Sequence, residues 1–175
     1  NRQLKTPRLP RNFLPRNDRF RLLKVKTVKD QRILTLVFPL PPVLRYYKSK
    51  PLSLLGFLIG HEGKGSLLSL LKQEGLATGL SAGGGERKRD YASFEITVQL
   101  TEKGEKRLRT VITRTFQHLQ LLRRTPPPSF VYEENRRMTE LDYQFAEKAE
   151  GTGLVNTFAV LLQFYPMRTL ERDPY

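Results

Sequence analysis

The chain has no cysteine and only two histidines, His61 and His118. The first absence excludes disulfides and thiolate metal sites, though it chooses no cellular compartment. No run of about 18 apolar residues occurs, so nothing in the sequence spans a membrane as a helix. No signal-peptide pattern is visible, and the first residue is asparagine. The 175 residues are therefore expected to be a piece of a longer protein.

Acidic residues are scarce at the start. Residues 1–50 hold 14 Lys/Arg against only Asp18 and Asp30, a balance of +12, whereas the remaining residues hold 17 Lys/Arg against 15 Asp/Glu. The net charge of +14 thus belongs to one arm. Such an arm could steer toward phosphates or acidic peptides by screened attraction. The simpler reading, a solvated linker, is preferred.

What is present suits one domain with a core: 38% of residues are hydrophobic and 10% aromatic. Residues 1–19, with Pro7, Pro10 and Pro15 among arginines and asparagines, read as a basic linker. The domain is expected over 20–175. RLLKVKTV and ILTLVFPL suggest two strands joined at Lys29-Asp30, the second ended by Pro39, Pro41 and Pro42.

From Pro51 the spacing is helical, with Leu54, Leu55, Leu58 and Ile59 recurring and Phe57 widening the apolar face. Ser66 can cap a second helix, with Leu67, Leu70 and Leu71 as its inner stripe and Gly75 as its stop. YASFEITVQL alternates strictly, with Ala92, Phe94, Ile96, Val98 and Leu100 on the inner face. Thr101 caps a long amphipathic helix carrying Leu108, Val111, Ile112, Phe116, Leu119 and Leu122. A third long helix after prolines 126–128 carries Val131, Met138, Leu141 and Phe145, and a last one covers about 152–165. The order of elements predicts an α+β domain: a largely antiparallel sheet with helices packed on one face.

The heptapeptide GHEGKGS (60–66) imitates two catalytic motifs and satisfies neither. A zinc helix needs two histidines one turn apart, yet the partner position after His61-Glu62 is Gly65, and the inverted order finds Phe57. A phosphate loop needs the hydroxyl directly after the lysine, and Gly65 separates Lys64 from Ser66. The glycines are better read as a tight corner between helices. Glu133 and Glu134 are adjacent on a helix and point apart, so they make no catalytic pair. By its own residues the chain has no catalytic centre and no metal site.

The stretch YYKSKPLSLLGFLIGHEGKGSLLSLLKQEGLATGLSAGGG (46–85) resembles the second domain of the insulinase/pitrilysin family of zinc metallopeptidases. FPLP (38–41), LTEKG (100–104), Tyr132 and Glu134, Tyr143 and Phe145, and Phe164-Tyr165-Pro166 extend the similarity over about 20–170. The resemblance implies a metallohydrolase-like repeat domain without catalysis, whose His-Glu binds no metal. It also implies zinc in a first domain before Asn1, a final helix and strand beyond Tyr175, and hence self-association through exposed sheet edges. In insulysin-like members the matching strand forms an exosite that holds a peptide substrate by main-chain pairing. The matching positions are Leu80, Ser81, Ala82, Gly83 and Gly84, with Ala82 at the first of two family glycines.

The implied function is a chamber-forming, peptide-binding domain of a zinc metalloendopeptidase, partnered by the catalytic domain of the same parent protein. Two alternatives stand beside it: a scaffold domain of a catalytically inactive relative, and a basic nucleic-acid module. The compartment is open between periplasm and cytoplasm or organelle.

Overall fold

The computed structural model describes residues 21–26, 28, 31–125, 129–147 and 151–167. The chain divides into two units, Asn1–Gln31 and Arg32–Tyr175. In the first, the described residues form no regular structure, and Leu22, Leu23, Val25 and Val28 are exposed. The expected strand RLLKVKTV is therefore not formed over its described residues. The linker expected over 1–19 lies outside them.

The second unit holds three strands and six α-helices among its described residues. In chain order these are β1 (Ile33–Leu40), α1 (Pro51–Gly60), α2 (Leu67–Gln73), β2 (Ala77–Arg87), β3 (Ala92–Leu100), α3 (Glu102–Lys106), α4 (Leu108–Arg124), α5 (Ser129–Gln144) and α6 (Gly151–Leu161). The sheet is wholly antiparallel, in the order β1-β3-β2. The α+β class holds, with β2 and β3 joining β1 in one sheet.

The alternation of β3 decides the layering. Phe94, Ile96 and Val98 are buried against Ile59 of α1, Leu67, Leu68 and Leu71 of α2, and Val111 of α4, and Ala92 is buried as well. One strand expectation and one helix expectation fall to position. β1 runs through Pro39, which a sheet margin tolerates because the missing N–H need not face a neighbour. On α2, Leu68 is buried and Leu70 is exposed, the reverse of the expected stripe.

The joints between elements follow the residues. Ser66 accepts the Ser69 N–H at 3.1 Å and caps α2. Past the end of α2, Gly75 is left-handed (φ 68°), Leu76 N–H bonds Leu71 O, and Gly75 N–H bonds Lys72 O. That paired closure satisfies carbonyls the helix leaves open. Thr101 works twice, accepting the Gly104 N–H and donating to Gly75 O at 2.7 Å. A Cβ on Gly104 would strike the Leu76 carbonyl, so the α2 end and the α3 start meet without side chains between.

The long helix expected from Thr101 is broken: Thr101 caps only the short α3, and α4 opens anew at Leu108 without a side-chain cap. Within α4, Phe116 is exposed on one side and meets Phe38 edge to face, their centroids 6.1 Å apart. On the same helix, His118 keeps a buried Nε2 without a hydrogen-bond partner, and burial holds the imidazole below its ordinary pKa. The stripe expected on α5 is present but not buried: Met138, Leu141 and Phe145 are exposed. α6 ends at Leu161, earlier than expected, and Leu161 and Tyr165 form a small second cluster with Leu44 and Tyr47. There Tyr165 donates to Leu44 O at 3.0 Å.

Candidate functional site

GHEGKGS is the corner between α1 and α2. Gly60 closes α1, Gly65 takes a left-handed turn (φ 84°), and Ser66 opens α2. His61 is exposed, its ring 6.3 Å from Phe57, and a Cβ on Gly63 would fall on the imidazole. Glu62 lies 4.0 Å from Lys72. His118 sits elsewhere, on α4. Among the described residues, no three of His, Asp or Glu gather as metal ligands. Among those residues the donor set does not fit zinc.

Leu80, Ser81, Ala82, Gly83 and Gly84 all lie in β2, a margin strand that has, among the described residues, a sheet neighbour on one side only. The register with β3 pairs Leu80 with Val98, Ser81 with Thr97, Ala82 with Ile96, Gly83 with Glu95 and Gly84 with Phe94. Alternation then divides the five residues. Leu80, Ala82 and Gly84 turn toward the helices, where Leu80 is buried. Ser81 and Gly83 turn to the open face, beside the polar side of β3. The strand therefore offers main chain far more than side chains. Irregularities interrupt its pairing between Ala77 and Gly79 and between Gly84 and Arg87.

Two residues that position this strand carried no functional signal in the sequence. A Cβ at Gly56 would come within 2.8 Å of Ala82 O and 3.1 Å of Gly83 Cα, so α1 rests on the strand backbone itself. Gly60, one turn on, would place its Cβ 3.7 Å from Ala82 N. Leu52 covers Gly84. A glycine four residues before the GHEG corner was legible only as a helix weakness; its role appears once β2 lies against it. The corner and the glycine-rich strand are thus one assembly.

Over residues 2–138 the sequence matches the family described as the Peptidase M16 inactive domain. The chain belongs to that family, as the noncatalytic domain of the insulinase/pitrilysin peptidases. It is 36% identical to the insulin-degrading enzyme of Homo sapiens over 175 residues, covering all of this chain and 17% of that protein. It is 32% identical to the insulin-degrading enzyme of Drosophila melanogaster, covering 18% of it, and 30% identical to nardilysin of Homo sapiens, covering 93% of this chain and 16% of that protein. The chain therefore spans less than a fifth of these relatives. A crystal structure of pitrilysin superposes with a TM-score of 0.72 at 23% identity, over 78% of this chain and 15% of that one. At that identity it speaks for the fold alone. The resemblance read from residues 46–85 is borne out.

No helix of the described residues is long and apolar enough to cross a membrane.

Proposed function

We propose that the chain forms a wall of a peptidase chamber and holds a peptide substrate along the free edge of β2, at residues 80–84. The parent protein is a zinc metalloendopeptidase. Its catalytic domain supplies the metal and is the structural partner of the domain taken as residues 20–175. The observation that carries this reading is the glycine-rich margin strand backed by α1 at main-chain distance. Strand addition needs free backbone groups, little side-chain bulk and a stiff support. β2 supplies the first two, and Gly56 and Gly60 supply the third by letting α1 close against it.

The affinity is modest, because ordering an extended peptide offsets most of the hydrogen-bond gain. Titration of the isotope-labelled chain with a short extended peptide tests the reading by NMR. Amide shifts confined to residues 78–86 and the facing part of β3 are expected. Shifts scattered over the helices instead would overturn it.

The scaffold alternative differs in the parent, not in this fold, and a zinc motif in the domain before Asn1 separates the two. The nucleic-acid alternative requires steeply salt-dependent binding through residues 2–32. Deleting that arm without changing oligonucleotide affinity removes it.

A further inference from the structure

The open face of the sheet carries one carboxylate in the lane of the β2 glycines. Glu95 stands in a row across the sheet, with Val37 of β1 on one side and Gly83 of β2 on the other. A Cβ built on Gly83 would meet nothing within 4 Å. One built on Gly85 would fall on the Glu95 carboxylate and the Ser93 hydroxyl. The Glu95 side chain therefore leans from the central strand toward the margin, over backbone that has no side chains of its own.

It is held there. Ser93 Oγ donates to Glu95 Oε1 at 3.3 Å, and Ser93 Oγ itself accepts the Glu86 N–H at 2.8 Å. One such bond leaves most of the acceptor capacity of a carboxylate unused. Among the described residues no Lys or Arg forms an ion pair with Glu95. Lys88, on the adjoining hairpin, is committed to Glu86 at 2.9 Å.

We propose that Glu95 is a specificity-determining residue of the β2 edge, selecting peptides that place a Lys or Arg side chain on the open face of the added strand. The inference rests on the strand-addition reading and adds the chemistry of its ligand. A strand added beyond β2 lies about 4.8 Å from it and roughly twice that from β3. With a side chain at Gly83 or Gly85 the interval would be filled. Without one, the long stem of a Lys or Arg lies along the glycine backbone while its charged end reaches the carboxylate. A glutamate at the same peptide position meets like charge.

The net charge of +14 opposes any cationic ligand at long range. Screening decides which effect wins: the Debye length is about 8 Å at physiological salt, so charges farther away than that are muted while a contact pair persists. The pair is half exposed, which limits the preference to about threefold to fivefold.

The test uses the whole 175-residue chain and N-acetylated, C-amidated peptides identical except for Lys, Gln or Glu at one scanned position. Acetylation removes the α-amino group as a rival cation. Dissociation constants come from the amide shifts of residues 78–86. At the productive position, the Lys peptide is expected to bind about threefold to fivefold more tightly than the Gln peptide, with Glu weakest. Glu95→Gln brings the Lys-to-Gln ratio to about one, whereas Glu102→Gln, on α3, leaves the ratio in place. A flat ranking in the unmodified chain, or a Lys preference that survives Glu95→Gln, overturns the inference while the edge reading stands. If no peptide shifts residues 78–86, the edge reading itself fails. Should Glu95→Gln not fold, the ratio in the unmodified chain decides: it must shrink from about 0.05 M to about 1 M salt, and a constant ratio overturns the inference.

Discussion

Leu71 and Leu141 are both leucines on the apolar side of an amphipathic helix, yet Leu71 is fully buried and Leu141 is 53% exposed. The contrast holds for their surroundings. Around β3, the helices α1, α2 and α4 close a continuous core that includes Ile59, Leu68, Ile96 and Val111. On α5 and α6, Phe130, Met138, Val155 and Val160 face outward. A hydrophobic stripe states which side of a helix avoids water. It does not say that the covering partner belongs to the same segment of chain. The first region closes on itself, and the second leaves its apolar side chains exposed.

The comparison can be broken most forcefully at Leu71. Leu71→Ala removes a side chain from a site with no solvent access and is expected to cost about 2–5 kcal/mol in chemical denaturation. Next in size is Ser66→Ala, which takes the cap from α2 at the GHEGKGS corner. A loss of about 1 kcal/mol is expected, and a change below a few tenths would show that the corner is held by its glycines alone.

Smaller still is a pH effect at His118. Burial keeps its folded pKa below the ordinary 6.5, so the unfolded chain takes up the proton first. That contribution to stability is complete above pH 6.5 and is lost as pH falls through the folded pKa. Denaturation curves measured at successive pH values are expected to show this slope, and His118→Gln to flatten it. Last comes the counterpart of the first: Leu141→Ala should change stability by no more than about 0.5 kcal/mol. A loss comparable to that of Leu71→Ala would mean that α5 is covered after all.

Legibility divides along the same line. β3 was readable because a half-buried strand writes its two faces into alternate residues, from Ala92 to Leu100. The caps at Ser66 and Thr101 and the stop at Gly75 were readable because each depends on one local side chain or its absence. Residues 21–28 misled because Val and Leu at strand-like spacing carry no record of whether an edge is there to pair with. Leu68 and Leu70 exchanged roles because leucines at 67, 68, 70 and 71 leave open which side of so short a helix meets the core. The corner at 60–66 could be cleared of catalysis from residue types alone. That Gly56 and Gly60 press on Ala82, and that Glu95 shares a row with Gly83, needed the strand register, which joins residues far apart in sequence.

The placement of β3 between its two neighbours also sets the order in which the molecule can assemble. Synthesis delivers β1 first, with its edges unpaired, and Leu40 cannot meet Ala92 until the helical pair and the whole of β2 have emerged. The hairpin of β2 and β3 can close as soon as its own turn is made. For β1 a long loop must be drawn in before any ladder bond rewards it, so its docking is the slow event of folding and the interval most open to aggregation.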